Sequence, residues 1–127
     1  CGVVRGLHYQ IRQPQGKLVR AIRGRIWDVA LDVRRSSPTF GKSVGIELSE
    51  DNKRMLWVPA GFAHGFLVAS DIAEVIYKTT DFYAPQHERA VIWNDPDAAI
   101  AWPLDGEPLL SDKDAKASRL RDADLFD

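Results

Sequence analysis

The chain holds one cysteine, one methionine and three histidines in 127 residues. With Cys1 as its single thiol, no disulfide framework and no multi-cysteine zinc site forms within it, and a reducing, cytoplasmic setting fits that usage. Long apolar runs are also lacking. Nothing approaches the roughly 20 consecutive apolar residues that cross a bilayer, and Cys1-Gly2-Val3-Val4-Arg5 has neither the charged nor the apolar region of a signal peptide, so no membrane partner is expected. Neither sign of charge dominates: 17 Lys and Arg stand against 18 Asp and Glu, for a formal net charge of −1. Without a basic excess there is no electrostatic footprint for nucleic acid. No repeat, linker or low-complexity stretch interrupts the chain. The 45% hydrophobic and 28% charged content suits one folded domain with a full-sized core.

The dominant pattern has a period of two. From Arg25, the residues Trp27, Val29, Leu31 and Val33 alternate with Asp28, Ala30, Asp32 and Arg34, which assigns one set to each face of a strand. Lys17 to Arg23 forms a shorter apolar-rich run, and Arg23-Gly24-Arg25 reads as the tight turn of a hairpin joining the two. Val44, Ile46 and Leu48 alternate next, followed by a polar turn over 49–53 and the run Met55-Leu56-Trp57-Val58. Pro59 and Gly61 punctuate before Phe66-Leu67-Val68-Ala69. Ala73, Val75 and Tyr77 alternate in turn, and two late runs, 90–93 and 100–102, are bounded by Pro, Asp or Asn. Short strands about every ten residues predict an all-β sandwich, jelly roll or barrel. The one helical candidate is a short segment in the tail from Ser111, rich in Lys, Ala, Leu and Arg, with fraying expected over 122–127.

Each histidine has a plain structural explanation beside a functional one. His8, in Arg5-Gly6-Leu7-His8-Tyr9-Gln10, reads first as a structural residue; a carboxylate partner would make it a base. His64, in Pro59-Ala60-Gly61-Phe62-Ala63-His64-Gly65-Phe66, lies where two glycines and two aromatics suggest a bend at a cavity edge, and function and structure are evenly matched there. His87 reads as an exposed loop residue. No His-x-His or His-x-x-x-His occurs, which makes a metal site the minority reading. Cys1 is terminal, no Gly-x-Ser-x-Gly elbow is present, and Gln15-Gly16-Lys17 is not a phosphate-binding loop. Proton transfer remains, with His8 as a base, Tyr77 as an acid and Lys17 as a cation for a developing oxyanion. On local sequence alone, Tyr77 is equally an ordinary strand aromatic and Lys17 a solvated charge.

Several ordered segments together are more specific than any of these residues singly. The stretches 2–10, 15–20, 58–66, Tyr77-Lys78-Thr79-Thr80-Asp81-Phe82-Tyr83, Trp93-Asn94-Asp95-Pro96 and Leu110-Ser111-Asp112-Lys113-Asp114 follow one another as in dTDP-4-dehydrorhamnose 3,5-epimerases, and the chain resembles that family over nearly its whole length. The resemblance implies a cupin-type jelly roll or β-sandwich, metal-free and without cofactor, working as a homodimer on a dTDP-4-keto-6-deoxyhexose. By position, His8 resembles the catalytic base and Asp114 the carboxylate orienting it, Tyr77 the general acid, and Lys17 the cation beside the C4 carbonyl. His64 resembles a residue of the sugar pocket. Arg5, Glu88 and Lys113 resemble substrate-binding positions, and Tyr83 the aromatic that stacks on thymine. The family also carries a segment ahead of the position matching Gly2, and the chain is expected to lack it.

Arg5 and His8 are three residues apart, so an unbroken strand would aim them at opposite faces; a bulge at Gly6 or an edge position for Arg5 would reconcile them. The resemblance leaves a 3- or 5-epimerase of a natural-product sugar as the neighbouring activity. A non-catalytic cupin sugar-binding module and a metal-dependent cupin enzyme are the readings from other classes.

Overall fold

A computed structural model describes residues 2–127; Cys1 lies outside the described residues. Eight strands run in the order β1 (Val4–Gln10), β2 (Lys17–Arg23), β3 (Arg25–Asp32), β4 (Ser43–Ser49), β5 (Met55–Val58), β6 (Phe62–Val68), β7 (Glu74–Thr79) and β8 (Glu88–Ala90). They pair antiparallel into a five-stranded sheet, β4-β3-β6-β1-β8, and a three-stranded sheet, β5-β2-β7. The all-β class and the sandwich architecture agree with the period-two reading.

The alternation in β3 builds two cores at once. Ile26 and Ala30 point between the sheets and meet Val19, Ala21, Leu48 and Val58. Val29 and Leu31 point the other way, where Leu7, Tyr9, Ala63 and Val91 meet the C-terminal segment through Ala98, Leu120, Ala123 and Leu125. Fully buried Leu7, Ile26 and Leu31 each contribute roughly 1.5–3 kcal/mol of transfer free energy.

Several local expectations are corrected. Gly24 does not close a hairpin: β2 belongs to one sheet and β3 to the other, so Gly24, at φ 74°, turns a corner between layers. Side chains of a flat hairpin lie side by side, whereas Val19 and Ala21 face Ile26 and Ala30 across the interlayer core. The helical segment of the tail is short, as expected. The tail forms one turn, α1 (Asp112–Ala115), and a 3-10 turn at Leu120–Asp122. It does not fray: the Phe126 carbonyl accepts from the Arg35 amide, the Tyr9 hydroxyl donates to the Asp124 carbonyl, and Leu125 is buried. Its apolar residues are spent covering the outer face of the large sheet, and burial overrides the fraying of a terminus.

Of the two late runs, only the first touches a strand, with Val91 bridging to Ser118 just after β8; residues 100–102 are irregular, and the Trp102 indole donates to the Trp93 carbonyl. Asp95 of the Trp93-Asn94-Asp95-Pro96 motif is buried and accepts from the Asp97, Ala98 and Leu120 amides. His87 ends a 3-10 turn, Pro85–His87, and is half-buried rather than exposed, because its carbonyl receives the Ile11 amide and holds the turn against the end of β1.

Candidate active site

The space between the sheets is filled at one end by the interlayer core and open at the other. There, two adjoining cavities of about 450 and 480 Å³ share His8, Lys17 and Tyr77 as walls. The outer one is also lined by Gln10, Gln15, Thr79, Tyr83 and Glu88. The inner one is lined by Arg5, His64, Phe66, Val68 and Val75. These volumes lie in the range of small-molecule sites.

A break in β1 brings Arg5 and His8 to the same side. The register of β1 against β6 shifts between them, and Gly6, at φ 116°, sits in the bulge. Gly6 lies directly on Gly65, such that a Cβ on Gly6 would fall 2.6 Å from the Gly65 Cα. Both glycines are therefore required by the approach of the two backbones. The bulge also frees the Gly6 amide, which donates to Asp114 Oδ2 at 3.2 Å.

Asp114 is the buried residue of α1, whose N-cap is Ser111; the Ser111 hydroxyl accepts the Asp114 amide at 3.1 Å. Its Oδ1 lies 2.6 Å from His8 Nε2. Asp114 accepts Nε2–H, which fixes the tautomer and leaves the lone pair on Nδ1. Asp114 thus stands behind His8 rather than in the cavity wall. On the other side of the ring, Glu88 Oε1 is 3.9 Å from Nδ1.

Glu88 gathers several groups. Its Oε2 accepts from the Tyr83 hydroxyl at 2.8 Å and from Lys113 Nζ at 3.1 Å. Burial acts to raise its carboxyl, but the bonds from Tyr83 and Lys113 and the nearby His8 outweigh burial and hold it below the ordinary glutamate value. The same bond pushes the Tyr83 hydroxyl up, so that it remains a donor. Lys113 spends its ammonium on Glu88 and does not reach the cavity walls.

Lys17 and Tyr77 come from β2 and β7 of the opposing sheet, with the Lys17 ammonium 5.7 Å from the centre of the Tyr77 ring. Burial pulls the Lys17 ammonium below its ordinary value, while Glu88 and Asp28 act against that. The Tyr77 ring meets the His64 ring edge-on at 6.2 Å. His64 is not at a bend: the turn falls at Pro59–Gly61, and His64 is in the middle of β6, paired in register with His8 and Ala30. Its Nε2 lies 2.6 Å from Asp28 Oδ1, deep between the sheets.

Sequence reasoning missed Asp28, Gln10, Gln15 and Thr79. Asp28 had a visible signal, since it falls on the same face of β3 as Ile26 and Ala30, and a carboxylate on an apolar face needs a partner. The others are ordinary polar residues at strand ends, and only their neighbours make them wall residues. Among the described residues, no group of three or more His, Cys, Asp and Glu is arranged to hold a metal ion, and no helix is long and apolar enough to cross a membrane.

Known proteins are similar to this chain in sequence and in fold. A protein from Pseudomonas aeruginosa named dTDP-4-dehydrorhamnose 3,5-epimerase is 63% identical over 125 residues, covering 98% of this chain and 69% of that protein. A crystal structure of the Legionella pneumophila 3,5-epimerase in complex with dTDP-4-keto-L-rhamnose superposes with a TM-score of 0.96 at 52% identity, over 98% of this chain and 68% of that one. A 3'-monoepimerase from Streptomyces bikiniensis in complex with dTDP-quinovose also matches, with a TM-score of 0.88 at 40% identity, over 94% of this chain and 61% of that one. The chain spans about two thirds of the length of such relatives. The family model described as dTDP-4-dehydrorhamnose 3,5-epimerase matches residues 1–122, and this chain belongs to that family.

Proposed function

We propose that the chain is an isomerase that inverts C3 and C5 of dTDP-4-dehydro-6-deoxy-D-glucose, giving dTDP-4-dehydro-L-rhamnose for deoxysugar biosynthesis. The C4 ketone acidifies the hydrogens on both neighbouring carbons. His8 Nδ1 takes one of these protons, and the electron pair of the broken C–H bond moves into an enolate whose charge gathers on the C4 oxygen. Asp114 stabilises the imidazolium that results, and Lys17 stabilises the oxyanion where it develops. Tyr77 then donates its hydroxyl proton to the opposite face of the same carbon as the enolate collapses back to the ketone. Exchange with solvent returns His8 and Tyr77 to their starting states, and the sequence repeats at the second carbon. The ketone is already part of the substrate, so the balance requires no redox partner.

The observation that carries this reading is that His8 belongs to the five-stranded sheet and Tyr77 to the three-stranded sheet, on facing walls of one cleft. Inversion requires proton removal and delivery from opposite faces of a carbon. Tyr83 is the aromatic for the thymine, Arg5 the cation for the diphosphate, Glu88 a substrate-binding residue of the outer wall with Lys113 paired to it, and His64 closes the sugar pocket. A second copy of the chain completes a homodimer. The half-exposed Met55, Trp57 and Ile76 on the three-stranded sheet are apolar surface suited to such a contact.

The test is turnover of dTDP-4-dehydro-6-deoxy-D-glucose by the full-length protein in D₂O, followed by proton NMR. Deuterium at C3 and C5 with inversion at both is the expected result. Incorporation and inversion at only one carbon would reassign the chain to single-centre epimerisation.

A further inference from the structure

Residues 81–84 form the rim of the outer cavity, and beyond the bond from the Tyr83 hydroxyl to Glu88 their aromatic side chains gain no anchorage from burial. Phe82 is 85% and Tyr83 67% exposed. A segment with so little apolar burial is ordinarily mobile. Here a buried amide ties it down. Gln10, 4% exposed and two residues beyond His8 on β1, donates from Nε2 to the Phe82 carbonyl at 3.3 Å and to the Gln13 carbonyl at 2.9 Å. Its Oε1 accepts the Ala84 amide at 2.8 Å. Both amide donors and the acceptor are thus engaged, two of the three bonds going to this rim. From the other side, Gln15 Nε2 donates to the Asp81 carbonyl at 2.7 Å, and the Thr79 hydroxyl donates to the same oxygen at 3.0 Å.

We propose that Gln10 and Gln15 are positioning residues for nucleotide affinity, holding the 81–84 rim so that Tyr83 stands ready to stack on the base before the substrate arrives. The inference rests on the reading of Tyr83 as the base-stacking aromatic. Ordering a loop on binding subtracts from affinity, so a rim fixed in advance lowers KM and leaves the proton-transfer step alone. An isosteric Glu at position 10 has no donor for the Phe82 and Gln13 carbonyls and sets a carboxylate against them. The single change therefore releases the rim without removing volume from the core.

The experiment compares Gln10→Glu, Gln15→Ala, Tyr83→Ala and the Gln10→Glu/Tyr83→Ala double variant in the full-length protein. It measures kcat and KM for dTDP-4-dehydro-6-deoxy-D-glucose and Kd for dTDP by calorimetry. Gln10→Glu is expected to raise KM and the dTDP Kd about tenfold with kcat reduced less than threefold, Gln15→Ala to raise both two- to threefold, and the double variant to be no worse than Tyr83→Ala. A folded Gln10→Glu with unchanged KM, or a double variant whose losses multiply, overturns the proposal while leaving Tyr83 in its role. If Tyr83→Ala leaves the dTDP Kd unchanged, the base-stacking reading fails, and a rise in Gln10→Glu alone then also overturns action through Tyr83. Should Gln10→Glu not fold, Gln15→Ala and the Gln15→Ala/Tyr83→Ala double variant decide: an increase in Gln15→Ala that is absent on the Tyr83→Ala background supports the proposal, and an unchanged KM and Kd, or losses that multiply in the double variant, overturn it.

Discussion

Two histidine–aspartate pairs lie in this fold with the same 2.6 Å contact through Nε2, and their surroundings set them apart. In the His8–Asp114 pair, the histidine side chain is 30% exposed and its other nitrogen faces an open cavity. In the His64–Asp28 pair, the histidine side chain is 6% exposed and the aspartate, on β3, is fully buried between the two sheets. The same pairing chemistry leaves the His8 ring open to solvent and the cavity, where it suits the proposed base, and holds a largely buried His64 as a cross-strand brace whose ring still lines the inner cavity. The difference lies in which carboxylate serves each ring. Asp114 comes from a capped turn outside the sheet and leaves the cavity side of His8 free, whereas Asp28 comes from inside the sandwich and closes around His64.

The sharpest way to break the comparison is to delete each histidine's function in turn. His8→Ala should lower kcat by about 10³–10⁴-fold, the upper range for loss of a general base, with a urea midpoint close to that of the parent. Near-normal turnover would remove His8 from the chemistry. Asp114→Asn keeps an acceptor for Nε2–H but no charge to stabilise the imidazolium, so kcat should fall by about 10²-fold. Steady-state rates with an unchanged circular dichroism spectrum would check it.

On the other pair, Asp28→Ala should show itself in stability, costing about 2–4 kcal/mol in urea unfolding because His64 loses its buried partner. An unchanged midpoint would mean that the second pair is not a brace. The smallest effect concerns Glu88. Its folded-state value is depressed, so its contribution to stability is present above the ordinary glutamate value and is lost as pH falls through the lowered folded value. The melting temperature of Glu88→Gln should therefore lie slightly below that of the parent at neutral pH, and the two should converge in acid. A difference that persists at low pH would reject the linkage.

Much of the architecture was legible because strand alternation is local. The Trp27-Val29-Leu31 set against Asp28-Ala30-Asp32 announces a strand wherever it is placed, and Ala73-Val75-Tyr77 does the same for β7. What stayed illegible was which sheet a strand joins. Arg23-Gly24-Arg25 suits a hairpin turn and a corner between layers equally well, since a positive-φ glycine serves both. The end of the tail misled for a related reason: residues 122–127 read as a terminus that frays, but Leu120, Ala123 and Leu125 are buried against the large sheet. In the site, Gln10 carried no mark at all, because the two bonds that tie it to the rim go to residues more than 70 positions away.

The sequence by itself determined the β class, through side-chain alternation that any strand must respect, and the epimerase family, through ordered motifs that few chains share. The tertiary structure alone decided that Arg5 and His8 face one cavity, because the bulge exists only where Gly6 rests on Gly65. It alone decided that His8 receives Asp114, 106 residues away, while His64 receives Asp28. Pairings of that kind arise from the closing of the two sheets and the folding back of the C-terminal segment, and a local pattern of polar and apolar residues does not contain them.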